Sequence, residues 1–144
     1  MLSQDSKISY SEISSRLKVS NTTIHVRVSR LQKLEIIKNF TITIDYNKLG
    51  FSYACYMGIY MDKASQYESV LRDLKMIDNI TGMDFTTGKF SLFCKIRALD
   101  SQDARLVISK IHNIKGVNRT ETFISLEQLL NQKESLLSTV EIYG

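Results

Sequence analysis

The stretch Phe51 to Met61, "FSYACYMGIYM", constrains this chain more than any other. It is rich in aromatic residues and holds no charged side chain, which suits a strand. On a strand, alternate side chains point to opposite faces. Tyr53, Cys55, Met57 and Ile59 would then share one face, and Ala54, Tyr56 and Tyr60 the other. Both faces are apolar, so a fold that contains this strand must cover it twice.

The segments that follow supply the first cover. "SQYESVLRDLK" predicts an amphipathic helix with Tyr67, Val70, Leu71 and Leu74 inward. "NITGMDFTTGKFSLFCKIRA" predicts a hairpin, with strands at Ile80–Thr86 and Ser91–Ala98 joined through Thr87-Gly88-Lys89. "SQDARLVISKIHN" predicts a second helix with Ala104, Val107, Ile108 and Ile111 inward, and "GVNRTETFISL" a last strand. Strand, helix, strand, strand, helix, strand is the ferredoxin-like order. Its helices lie on one face of the sheet. The other face therefore predicts a second copy of the chain as its cover, hence a homodimer. The tail from Glu127 repeats leucines at helical spacing, and packing on its own body or on a partner are both open.

The first fifty residues have a different character. They hold eight Lys/Arg against four Asp/Glu, whereas the remainder of the chain is neutral, so the whole net charge of +4 sits in the first third. Such asymmetry suggests a polyanion-binding head on a neutral body. "ISYSEISSRL" places Glu12 three residues after Ser9, a capping-box pattern, with Ile13 and Leu17 on one face. It predicts a short helix from about Tyr10 to Leu17. "KVS" ends it, and Ser20 can cap a second helix. "SNTTIHVRVSRL" shows a two-residue beat, but Ile24, Val28, Leu31 and Leu34 continue at helical spacing, which decides for a helix. Val26 is left on the flank. "FTITIDY" then alternates as a strand would.

Two short helices around a tight turn, the second polar and basic, make a helix-turn-helix. The second helix of that motif enters the major groove of double-stranded DNA. Ser20, Asn21, Thr22, Thr23 and His25 are hydrogen-bonding groups suited to base edges. Arg27 and Arg30, on the face away from Ile24, Val28 and Leu31, suit phosphates.

These residues carry a resemblance. "KISYSEISSRLKVSNTTIHVRVSRLQKLEIIKNFTITIDYNKLGF" resembles the DNA-binding part of the Lrp/AsnC, or feast/famine, family of transcriptional regulators. The matches are Ser20, Thr23, Ile24, Arg27, Val28, Leu31, Ile36, Ile37, Asp45, Leu49 and Gly50. "TTGKFSLFCKIRALD" resembles the family's T-G-x-Y-D hairpin, and "IKGVNRTETFISL" its I-P-G-V segment. The resemblance implies an α+β chain: an N-terminal, winged-helix-like helix-turn-helix, joined by a strand to a ferredoxin-like βαββαβ domain. The expected domains are 1–50 for DNA binding and 51–144 for oligomerisation and effector binding. It also implies a small-molecule site, usually for an amino acid, at Gly88, Lys89, Phe90 and Ser91, facing Gly116 and Val117 of a neighbouring copy.

Departures from the pattern matter. The family head's first helix is almost missing here: either the start is placed late, or the head is short, and a short head predicts that Ile13, Ile24 and Leu31 lose part of their cover. Lys18 and Glu35 stand where the family has glycines, and a left-handed residue at either would cost roughly 1–2 kcal/mol. Ser91 replaces the hairpin aspartate, removing a carboxylate that would hold an amino group, and Lys115 replaces the late proline.

Other classes fit less well. An RNA-recognition domain shares the strand order, but "TGKFSLF" puts Lys89 where its first aromatic belongs. His25 and His112 fall in different domains, and no nucleophile motif, phosphate loop or metal-ligand spacing is present, so neither an enzyme, nor a cofactor, nor a metal is expected. His112 reads instead as a partner of a helix dipole. No apolar run reaches the roughly 20 residues of a membrane span, the first residues are too polar for a signal peptide, and only two cysteines, Cys55 and Cys94, without motif spacing, suit a reducing cytoplasm. The sequence thus predicts a sequence-specific, DNA-binding transcriptional regulator working as a dimer or higher oligomer. The rival is an oligomerising sensor whose shortened head no longer binds DNA.

Overall fold

The structure, a computed structural model, describes residues 1–129; the leucine-spaced tail from residue 130 onward lies outside the described residues. The described chain divides into two compact units, Met1–Ile44 and Asp45–Leu129.

In the first unit, helix α1 spans Tyr10–Leu17 and helix α2 spans Asn21–Lys33. Ser9 caps α1, accepting the Glu12 N–H at 3.1 Å. The other half of the expected capping box is not made. The Glu12 carboxylate turns outward to Arg16, one turn on, at 2.5 Å. Ile13 is buried, but Leu17 is 46% exposed, against expectation. The chain reverses immediately after it, and Val19, beyond the turn, packs on the core in its place. The reversal needs a left-handed residue, and Lys18 supplies it at φ 53°. That conformation lets Val19 N–H reach the Ser14 carbonyl at 3.1 Å, closing the end of α1. Ser20 then caps α2 by accepting the Thr23 N–H at 3.1 Å.

Helix α2 buries Ile24 and Val28 against Ile13, with Leu2, Ile8, Tyr10, Val19 and Ile37 packed around them. The residues before α1 supply part of this cover. Gln4 and Asp5 N–H both donate to the Met1 carbonyl at 3.0 Å, a single turn that lays Leu2 on the core. Ile13 and Ile24 therefore keep their cover, contrary to expectation, and only Leu31 stays half-buried. A second left-handed residue, Glu35 at φ 55°, turns the chain back so that Ile37 reaches this core.

The strand expected at "FTITIDY" is not formed. Residues Lys38–Asp45 make no main-chain hydrogen bond with other described residues, and Phe40, Ile42 and Ile44 are 44%, 69% and 43% exposed. The alternation is a strand's, but a strand exists only with a ladder partner, and no other described segment provides one.

The second unit follows the βαββαβ order. Strand β1 is Tyr53–Met61, helix α3 Tyr67–Lys75, β2 Ile80–Phe85, β3 Leu92–Ala98, helix α4 Ser101–His112, and β4 Val117–Ile124. The antiparallel sheet runs β2-β3-β1-β4, with Met57 opposite Cys94 and Thr122. Alternation decides the core. Cys55, Met57 and Ile59 of β1 join Leu92, Cys94 and Ile96 of β3, and Val70, Leu74, Val107 and Ile111 of the helices close over them. Both cysteines are free thiols here, and burial, followed by the Asp84 charge, pushes Cys94 up to about 12. Gly116, just before β4, takes φ +103°, and a Cβ there would stand 2.9 Å from Val70 Cγ2. This position needs glycine for backbone and for space alike.

Candidate functional site

The residues expected to meet DNA lie on α2, but in three different roles. Ser20 and Thr23 are engaged with each other. Besides the cap, their hydroxyls share a hydrogen bond of 2.8 Å, so this pair fixes where the helix begins. Asn21 and Thr22 are exposed on its first turn. His25 is exposed, with its ring edge-on to Tyr10 at 4.6 Å, which limits how that side chain can swing. Arg27 and Arg30 are exposed and form no ion pair among the described residues.

Helix geometry refines their directions. At about 100° per residue, Arg30 points about 120° away from Ile24, but Arg27 only about 60°. Arg27 therefore flanks the buried stripe rather than opposing it. The side chains opposite the stripe are Thr22, Val26, Ser29 and Lys33. His25, Val26, Ser29, Arg30 and Lys33 line one shallow concavity on this surface. The sequence expectation missed Val26, Ser29 and Lys33, although their phase relative to Ile24 and Val28 was available in the spacing.

The second cluster covers the sheet face that lacks helices. Tyr56 stacks on Phe93 at 5.9 Å, Tyr60 meets Phe90 edge-on at 5.2 Å, and Phe123 joins both phenylalanines within 6.3 Å. Phe90 lies directly on Gly58, where a Cβ would come within 2.4 Å of its ring. Beside these rings is a charged knot. Glu121 accepts from Lys89 Nζ at 2.8 Å, from the Tyr60 hydroxyl at 2.8 Å and from Arg119. Lys89 above all, then Tyr60 and Arg119, hold the Glu121 carboxyl down at about 2.

The expected effector positions gather at one end of the sheet. Gly88 takes φ +110° at the open hairpin tip, Lys89 reaches across to Glu121, and Phe90 seats on Gly58. The Ser91 N–H donates to the Ile59 carbonyl at 2.9 Å. Val117 pairs with Met61 at the same end of β1, and the Gly116 carbonyl accepts the Asp62 N–H at 3.1 Å. His112, the last residue of α4, is tied to Thr120 by a 2.6 Å hydrogen bond.

A helix-turn-helix with outward cations, joined to a βαββαβ sheet whose own helices lie on one face, defines a two-part DNA-binding regulator. Comparison with known proteins agrees. Residues 1–38 match the winged helix-turn-helix DNA-binding family model, and residues 54–134 match that of the Lrp/AsnC ligand binding domain. The chain is 34% identical to the regulatory protein AsnC of Haemophilus influenzae, over 88% of this chain and 85% of that one. The solved structure of E. coli AsnC superposes with a TM-score of 0.86 at 31% identity, covering 91% of this chain and 89% of that chain. A feast or famine regulatory protein from M. tuberculosis, solved with L-methionine, shares the fold at a TM-score of 0.85 and 20% identity, covering 92% of this chain and 89% of that one. The chain belongs to the Lrp/AsnC family of transcriptional regulators. The sequence resemblance thus holds, and with it the α+β architecture and the regulatory function. No helix among the described residues is long and apolar enough to cross a membrane.

Proposed function

We propose that this regulator binds double-stranded DNA as a homodimer, in the cytoplasm, with α2 of each copy in a major groove. Residues 1–50 serve as the reading head and residues 51–144 as the oligomerising and effector-binding part. The observation that carries this reading is the division of α2. Its apolar stripe is buried in an intact core, while Arg27, Arg30 and Lys33 stand exposed in the part of the chain that holds the whole net positive charge. The packed head weighs against the rival sensor without DNA binding. Asn21, Thr22 and His25 meet base edges, Arg27 and Arg30 grip phosphate, and Ser20 and Thr23 set the position of the first turn.

The aromatic face of the sheet packs on the same face of a second copy. Exposed Phe40, Ile42 and Ile44 gain cover in that dimer, and their backbone gains a partner. An amino acid is the effector, held by the Gly88–Ser91 tip and by Gly116 and Val117 of a neighbour; higher oligomers follow from such shared sites. L-Methionine in the M. tuberculosis structure supports that ligand class. With Ser91 in place of the aspartate, Glu121 is the carboxylate near the tip, already matched by Lys89 and Arg119. The chain acts by binding, not by catalysis.

A mobility-shift titration tests the central point. With the duplex upstream of the chain's own coding region, binding is expected at low salt and should weaken steeply as salt rises, because phosphate contacts release counterions. Two-fold symmetry predicts half-sites one helical turn, or a multiple of it, apart. Arg27→Ala should weaken binding to all duplexes alike, whereas Asn21→Ala should blur sequence preference. No shift at low salt would restore the sensor reading.

A further inference from the structure

Val26 stands out on the outward side of α2. It is 62% exposed, in mid-helix, on the face opposite Ile24 and Val28. A β-branched residue in a helix interior loses rotamer freedom, and it is favoured there only if packing compensates. Ile24 and Val28 are compensated by burial at 2% and 5% exposure, whereas Val26 is not. Packing among the described residues therefore gives no reason for valine at this position.

Its surroundings name the occupant. Thr22 lies one turn before it, and Ser29 and Arg30 one turn after it, with Lys33 beyond on the same ridge. It is the one apolar side chain of this ridge, which is otherwise made of hydroxyls and cations, and it shares its concavity with Arg30 and Lys33. A cationic rim with a single methyl-bearing centre does not suit an apolar protein groove. It suits a polyanion that displays isolated methyl groups. In the major groove only thymine does so, through its C5-methyl.

We propose that Val26 is a specificity-determining residue that reads a thymine by packing against its 5-methyl group. This rests on the reading of α2 as the groove-binding helix, and it adds a base and an atom to it. The hydrogen-bonding groups near the helix start select by donors and acceptors. Val26 selects by the presence of a methyl, which hydrogen bonding cannot register.

The test removes that methyl alone. The full chain is first used to select a binding sequence from random duplexes. Affinities are then measured for duplexes in which each thymine in turn is replaced by deoxyuridine. The wild-type chain should lose about fourfold at one thymine per half-site, the equivalent of one buried methyl. Val26→Ala should bind the thymine duplex about fourfold more weakly and be indifferent to that replacement. Because the side chain is exposed, this variant should melt as the wild type does, which circular dichroism checks. If the chain selects a sequence but every replacement affects wild type and Val26→Ala alike, the proposal is overturned while the DNA-binding reading stands. If the chain binds no duplex at low salt, both fall together.

Discussion

The head closes its core around three buried apolar side chains, Ile13, Ile24 and Val28, whereas the body's main cluster draws on ten, from two strands and two helices. Among the described residues, the head also holds both left-handed non-glycine residues, Lys18 and Glu35; the body's positive-φ positions, Gly50, Gly88 and Gly116, are all glycines. The body thus has a deep core and an unstrained backbone. The head has a thin core and strained turns, and it carries the chain's excess charge. The difference teaches where each unit's side chains are spent. In the body they build a platform, and in the head many of them face outward.

This contrast can be broken at its strongest point. Leu74 is fully buried between α3 and the sheet, and Leu74→Ala should lower stability by about 2–5 kcal/mol. Val28→Ala, in the thin core, should lower it by about 1.5 kcal/mol, the worth of two methylenes. Urea unfolding followed by circular dichroism measures both, and equal losses would erase the distinction. Next in size are the strained turns. Lys18→Gly and Glu35→Gly should each stabilise the head by about 1 kcal/mol, since relief of left-handed strain exceeds the added freedom of the unfolded chain. Hydrogen exchange of α2 amides would register this, and unchanged protection would mean that the side chains contribute contacts that offset the strain.

The smallest effect concerns pH. The Glu121 carboxyl sits at about 2 against its ordinary 4.5, so its contribution is complete above pH about 4.5 and is lost as pH falls toward about 2. Melting curves of wild type and Glu121→Gln should converge across that window. The effect should be modest, because both cations are well exposed. Curves that stay parallel would remove the knot from the body's stabilising contacts.

Much of this was legible in the sequence because local rules and tertiary packing agree. Ser9 and Ser20 cap where their spacing says, and the strict alternation in Leu92–Ala98 gives a strand buried on one side. The capping reading failed at Glu12, where Arg16 one turn later offered a full charge against one backbone N–H. Leu17 failed because periodicity does not see the chain leave the helix at Lys18. "FTITIDY" failed because a strand's existence depends on a neighbour that pattern cannot supply. At the candidate site, residue types located the helix, but not how its residues divide the work. Ser20 and Thr23 hold the cap, and Val26 escapes a reading that looks for apolar residues only in the core.

Because Phe90 belongs to the hairpin tip and Gly58 to an interior strand, the ring's seat couples the two mechanically. The tip is also pinned by the Ser91 amide on Ile59. A side chain at position 58 would take the ring's place and push Phe90, and the tip with it, off the strand.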